Sequence, residues 1–381
     1  MMRCAECKGK GMCGLARCPI VSRFHAQADM KPASSYQGRA PSLFIGSFGY
    51  PDVRGGPLMV NDSDNPPDWI GRALGIGEIV GIRARTIRGS TGLHAVEDDI
   101  REIAISSVPL DVDVAFERPV AFRLSFDGTV APVGFTGSVK EMDVIGNARV
   151  ERVVDRIISD TDVGAADACL ALRNSDIDVY RISELMTAGL LGRKRKFVPT
   201  RWAITAVDDT ISADLKKEIG RFPPIEEVLL FFGELYGNRI ACIIVPGDWK
   251  YEMIEIWGRK TLWAGDDEVI VQDWEGMTKH GYSPISGAYY SARLAVCEYL
   301  NKIQRSARVI VVRSISSEYW APLGTWVIRE ATRKAMKLPP VSCESLDTAI
   351  GKASAVLGSG SWVSHSTLIP ELRTQRTLFQ F

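Results

Sequence analysis

Histidine is scarce in this chain: there are four in 381 residues, His25, His94, His280 and His365. Chemistry that needs several imidazoles as bases or ligands has little material here. An excess of one charge is missing too, because Lys and Arg together number 46 and so do Asp and Glu. The chain as a whole is therefore no basic nucleic-acid coat, and any DNA contact must come from a local patch. No run approaches the ~18 uncharged apolar residues of a membrane span. Met1 to Pro19 also lacks the apolar stretch of a signal peptide. At 46% hydrophobic and 24% charged, the composition is that of a soluble globular protein with room for two ordinary domains.

What is present begins with cysteine. Four of the eight cysteines lie between Cys4 and Cys18, and the others, Cys169, Cys242, Cys297 and Cys343, are scattered through apolar or helical contexts. A secreted disulfide framework would be smaller and more evenly stapled, so a reducing cytoplasm is expected, with the scattered four as small core residues. The cluster Cys4, Cys7, Cys13, Cys18 has the spacing C-x2-C-x5-C-x4-C. Four thiolates this close in sequence can surround one tetrahedral zinc ion. Gly9, Gly11 and Gly14 permit the tight turns that aim each sulfur inward, and Lys8, Lys10 and Arg17 offset the thiolate charge. An iron–sulfur cluster or a redox cluster suits the same residues. The segment is too small to bury a core, so bound metal would supply its folding energy.

Further along, 28–42 is polar and rich in Pro and Ser, as a linker or wrapping arm is. The segment 41–57, PSLFIGSFGYPDVRGGP, reads as one strand running into a glycine-rich loop that is not G-x-G-x-x-G. Residues 101–136 alternate apolar and polar positions, broken by Pro109, Pro119 and Pro132, and read as strands with turns. The spacing of Val150, Val153, Val154, Ile157 and Ile158 predicts an amphipathic helix over 148–172, with another near 183–191. Arg201 and Trp202 offer a guanidinium and a stacking plane, the means by which a base or nucleotide is gripped. A salt bridge beneath a core is the bland alternative. Asp208 and Asp209 follow, one placed to bind a cation or arginine and the other to cap a helix beginning near Ile211. Residues 228–246 read as helix or strand, turn, then buried strand. The run WKYEMIEIWG, with Trp249, Tyr251, Glu252, Glu255 and Trp257, reads as a pocket lining or as an aromatic strand face. A strand at 268–271, a helix at 284–304, an apolar strand at 308–315 with arginine at each end, and a helix at 326–337 complete an α+β (mixed α/β) pattern.

The chain ends QRTLFQF. Gln375, Leu378, Phe379 and Phe381 make one turn with a polar plug and an apolar ball, which fills a surface pocket on a partner. This tail resembles the sliding-clamp-binding box of replication and repair proteins, in a shortened form with an aromatic directly after Leu378 and the chain stopping at Phe381. Self-docking onto the chain's own surface is the alternative.

The cysteine pattern, the 41–57 segment, the block VPTRWAITAVDDTIS and the tail occur together in this order. Their combination resembles the archaeal Nre family of DNA repair proteins over essentially the whole chain. The resemblance implies a four-cysteine zinc module at 1–25, a large N-terminal Nre domain at 26–272, a smaller C-terminal one at 273–370, and a flexible clamp-binding tail at 371–381. It implies a cytoplasmic archaeal protein recruited to DNA damage by the sliding clamp PCNA, with zinc on Cys4, Cys7, Cys13 and Cys18. The clamp anchors are Gln375, Leu378, Phe379 and Phe381. It carries no established reaction with it.

Two enzymatic readings compete with a non-catalytic factor that engages DNA or a nucleotide. In the first, 287–300 and 308–315 faintly resemble a passage of ADP-ribosyltransferases, with Tyr289 or Tyr290 stacking on nicotinamide, Arg201 holding phosphate and Glu330 orienting the ribose. In the second, a metal-dependent nuclease would grip Mg²⁺ with Asp208 or Asp209 and Glu252 or Glu255.

Overall fold

The computed structural model describes residue 7 and residues 9–12, 14–15, 17–121, 131–279 and 281–374. It has mixed α and β structure and divides into two compact units, one from Cys18 to Ile211 and one comprising Met1–Arg17 and Ser212–Phe381. The boundary expected at 272/273 lies inside the second of these, within a strand.

The Cys18–Ile211 unit is built on a six-stranded sheet. Its strands are β1 (Ala33–Ala40), β2 (Ser42–Ile45), β3 (Arg54–Met59), β4 (Ile87–Gly92), β5 (Leu110–Val120) and β6 (Phe135–Ile145), in the order β1-β5-β6-β4-β3-β2. Only the β4–β6 pair is parallel. Leu110, Val112, Val114 and Phe116 point to the buried face of β5 while Asp111 faces solvent, the period of two that pins register. Around the sheet run α1 (Pro19–Gln27), α2 (Pro66–Gly71), α3 (Ile76–Arg85), α4 (Glu97–Ile105), α5 (Arg152–Ser159), α6 (Ala165–Arg173) and α7 (Val179–Thr187).

Three expectations are corrected in this unit. Residues 101–105 are not strand; they complete α4, whose buried Ile100, Ile103 and Ala104 follow helical spacing. The single helix over 148–172 is two helices. Asp160 Oδ1 accepts from the backbone N–H of Asp162 (2.9 Å) and Val163 (3.3 Å), a local turn that competes with helix and breaks it. Finally, of the four glycines in 41–57, Gly46 and Gly49 lie in the expected loop after β2, and the other two serve strand packing instead. Gly55 and Gly56 belong to β3, and a Cβ on Gly56 would stand 2.7 Å from the Gly89 backbone of β4.

Helix α8 (Thr200–Ile219) contains the division between the units. It begins eleven residues before the predicted start near Ile211, so Asp208 and Asp209 are interior to it and neither is its cap. The second sheet has the order β10-β9-β11-β8-β7-β12. Its strands are β7 (Val228–Leu235), β8 (Asn238–Val245), β9 (Lys250–Trp257), β10 (Val269–Glu275), β11 (Arg308–Ile315) and β12 (Val341–Cys343). β7 and β8 form a hairpin, so the first half of 228–246 is strand rather than helix, and β11 runs parallel to β9 after a crossover through α9 (Ser286–Ile303). The three following helices are α10 (Trp326–Lys337), α11 (Leu346–Leu357) and α12 (Leu368–Thr374).

Both faces of this sheet are covered, so its central strands read as nearly continuous apolar runs. Ala241, Ile243, Ile254, Ile256, Ile310 and Val312 pack with Ala349, Ile350, Trp362 and Leu368 on one face. On the other face α9 and α10 lie close. At Gly233 of β7 a Cβ would stand 2.7 Å from the Ala335 nitrogen, so only glycine lets α10 approach. The expected tail start at 371 falls within α12, where Leu372 packs against the apolar cluster.

Candidate functional site

Parallel strands linked by a helical crossover leave a crevice beyond their carboxyl ends, where ligands commonly bind. At the carboxyl ends of β9 and β11 there is such a cavity, about 410 Å³ in volume. Its lining includes Glu255 and Trp257 of β9, Arg313 of β11, Trp263, Tyr319 and Thr325. Alternation along the strands puts Glu255 and Arg313 on the face toward α9 and α10, since their neighbours Ile254, Ile256 and Val312 fill the opposite core.

A charged pair forms the polar part of the lining. Arg313 is 3% exposed and Glu255 6%. Arg313 Nη1 donates to Glu255 Oε1, while Nε (2.9 Å) and Nη2 (2.6 Å) donate to Asn238 Oδ1. Pairing and amide support are what make burial of these charges tolerable. The guanidinium lies 5.3 Å from the Trp257 ring and 5.7 Å from the Tyr319 ring. Trp263 meets Trp257 edge to face, 4.5 Å between centroids, yet remains 42% exposed. It rides on the 258–265 loop, closed by Lys260 N–H donating to the Gly265 carbonyl (2.6 Å) and Thr261 Oγ1 donating to that of Gly258 (2.7 Å). Among the other lining residues is Gly287, where a Cβ would stand 2.8 Å from Thr325 Cγ2.

Glu275 is the centre of a second buried polar cluster. It accepts from Arg293 Nη1 (2.7 Å), Lys216 Nζ (3.0 Å) and Trp249 Nε1 (3.4 Å), and Arg293 Nε donates to Ser212 Oγ (3.0 Å). These bonds tie α8, β10 and α9 to Trp249, just before β9. Tyr289 belongs here: it is fully buried against Tyr251 and Tyr290, and burial followed by the charge of Glu275 drives its phenol far above the ordinary value.

The other sequence candidates are not part of the cavity lining. Trp202 is 40% exposed with its ring 5.1 Å from that of Tyr50, and Arg201 and Asp209 are exposed on the same helix. Asp208 is buried, and burial, with its charge adding, pushes the Cys169 thiol up to about 12. Glu330 pairs with Arg333 (2.9 Å). Glu252 faces away from Glu255: its carboxylate accepts from Ser366 Oγ and from the backbone N–H of Thr367 (2.6 Å) and Leu368 (3.3 Å), holding the start of α12.

At the N-terminus, Gly9, Gly11 and Gly14 have φ of +77°, +77° and +74°, the left-handed region that favours glycine. Cys7 is buried, with its carbonyl accepting from Lys10 N–H (2.8 Å), and Cys18 precedes α1. Cys4 and Cys13 lie outside the described residues, as do Gln375, Leu378, Phe379 and Phe381. Among the described residues no group of three or more His, Cys, Asp or Glu is arranged to hold a metal ion. No described helix is long and apolar enough to cross a membrane.

Of the cavity residues, the aromatic and acidic run pointed to Glu255 and Trp257. Arg313 had a weaker signal, one of the two arginines read as ending an apolar strand. Trp263, Tyr319 and Thr325 are loop residues that no periodicity marks.

The fold and cavity define a mixed α/β protein with an aromatic, arginine-containing site at the end of its second sheet. The family model described as "Archaeal Nre, N-terminal" matches residues 12–264, and that described as "Archaeal Nre, C-terminal" matches 275–381. The chain belongs to this archaeal Nre family. It is 34% identical over 377 residues to the DNA repair protein NreA of Archaeoglobus fulgidus, covering 95% of each chain. With the DNA repair protein NreB of the same organism the identity is 33% over 394 residues and all of both chains. With the DNA repair protein NreA of Haloferax volcanii it is 31% over 342 residues, 83% of this chain and 81% of the relative. No solved structure matches.

Proposed function

We propose that this chain is a DNA repair factor recruited to damage by the PCNA sliding clamp through its tail, with a zinc module at its N-terminus and a core that engages nucleic acid or a nucleotide. The repair role is supported by relatives called DNA repair proteins, one of which aligns over the full length of both chains. For the core, the supporting observation is the cavity of β9 and β11. Aromatic faces beside a buried arginine suit a ligand that both stacks and hydrogen-bonds, as nucleobases do. Zinc on Cys4, Cys7, Cys13 and Cys18 would act structurally, its charge drawing four thiolates together where no apolar core exists.

The clamp is the part most directly tested. A tail that orders on binding spends interaction energy on that ordering, so its affinity for PCNA should be on the order of micromolar. Leu378→Ala or Phe381→Ala should weaken binding at least ~10-fold in calorimetric titration, and Arg376→Ala or Thr377→Ala little, because a few buried anchors carry most of the energy. Deleting 375–381 should abolish clamp binding and leave Tm unchanged. Undiminished binding after deletion would overturn the proposal, and a fall in Tm would indicate self-docking.

A further inference from the structure

We infer that the cavity at the ends of β9 and β11 takes a single nucleobase swung out of a DNA strand, which specifies the ligand of the core and rests on the nucleic-acid reading above. The lining is divided as a base is. Trp257, Trp263 and Tyr319 supply aromatic surface, and Trp263 keeps 42% of its surface exposed, leaving it open to a stacking partner. The polar part is the Glu255–Arg313 pair, both more than nine-tenths buried. Arg313 uses one N–H on each of its three nitrogens, and a guanidinium has five, so two donors remain. Glu255 uses Oε1 for Arg313, and no described residue donates to Oε2. The pair therefore offers an acceptor beside donors.

That pattern matches the Watson–Crick edge of every natural base, each of which sets an N–H donor next to a ring-nitrogen or carbonyl acceptor. A paired base has this edge occupied and its faces stacked, so only an unpaired base satisfies walls and floor together. The cavity volume of about 410 Å³ is in the ordinary range for small-ligand sites. A bare phosphate or sugar would leave the aromatic surface unused. The expected ligand is therefore a base at a bulge, mismatch or single-stranded stretch, with little preference among the four.

The test uses full-length protein and three DNA duplexes: one fully paired, one with a single bulged 2-aminopurine, and one with an abasic residue at the bulge. Anisotropy should show the bulged base bound about tenfold more tightly than the abasic bulge, the usual effect of one stacked base. The 2-aminopurine emission should be quenched in the complex. Trp263→Ala should remove preference and quenching, and Trp263→Phe should restore most of both. Trp263 is half exposed on a loop, so neither substitution opens the core. Equal affinity for base and abasic bulges, or Trp263→Ala retaining the preference, would overturn the inference and leave the nucleic-acid reading standing. Failure to bind any of the three duplexes would overturn both.

Discussion

Replacing Glu184 by Gln should remove a penalty that grows with pH. Glu184 lies on α7 with 20% of its side chain exposed, and its Oε1 has no hydrogen-bond partner among the described residues. Burial raises its carboxyl from 4.5 to about 8; Asp64 and Asp178 add to the rise, while Arg181, 3.4 Å away, opposes it. The folded chain thus keeps this proton over a range in which the unfolded chain has lost it. Because the folded value is the higher one, the penalty is absent below pH 4.5, accumulates up to about pH 8 and is constant above. One pH unit corresponds to about 1.4 kcal/mol, which caps the effect near 5 kcal/mol. Access of water to a fifth of the side chain lowers the expected effect to about 2–3 kcal/mol. Gln preserves the shape and cannot ionise. Urea denaturation from pH 5 to pH 9 should show wild type losing this amount relative to Glu184→Gln by pH 8, then no more. A difference that stays level across the window, or one that favours wild type as pH rises, would refute the reasoning.

Three other perturbations test separate parts of the molecule. Replacing Cys7 and Cys13 by Ser should abolish one tightly bound zinc per chain, read by elemental analysis, and leave the main fold's melting intact; iron, or no metal in an anaerobic preparation of the wild type, would contradict the zinc module. Glu252→Ala leaves two backbone N–H groups and the Ser366 hydroxyl without their acceptor, so it should cost about 2–3 kcal/mol and speed hydrogen exchange over 366–374 before other regions. Gly56→Ala drives a methyl to 2.7 Å from the Gly89 backbone and should cost about 1–3 kcal/mol in chemical denaturation. Wild-type stability in that variant would mean β3 and β4 separate more easily than their spacing indicates.

Much of the fold was legible locally. The strand at 308–315, the helix at 326–337 and the buried strand after the turn in 228–246 appeared where expected, because buried runs, helical stripes and turn residues act within a few neighbours. The family was legible as well, in motifs whose spacing covers the whole chain. Where local chemistry competed, the reading failed. Asp160 breaks a helix that apolar spacing alone would continue, and α8 runs through Asp208 and Asp209, whose pairing had suggested a cap.

The sequence by itself determined that charges set within apolar or aromatic runs, such as Glu252 and Glu255 in WKYEMIEIWG and the arginines of 308–315, would need partners wherever they were buried, since unpaired buried charge is costly. Which partner each took was decided only by the tertiary structure. Glu255 and Glu252 are three residues apart on one strand, so they face opposite sides of the sheet. One meets Arg313, 58 positions away, in a cavity; the other caps a helix 114 to 116 positions away. Sheet order and the crossover through α9 set those distances, and no periodicity along the chain encodes which strands become neighbours.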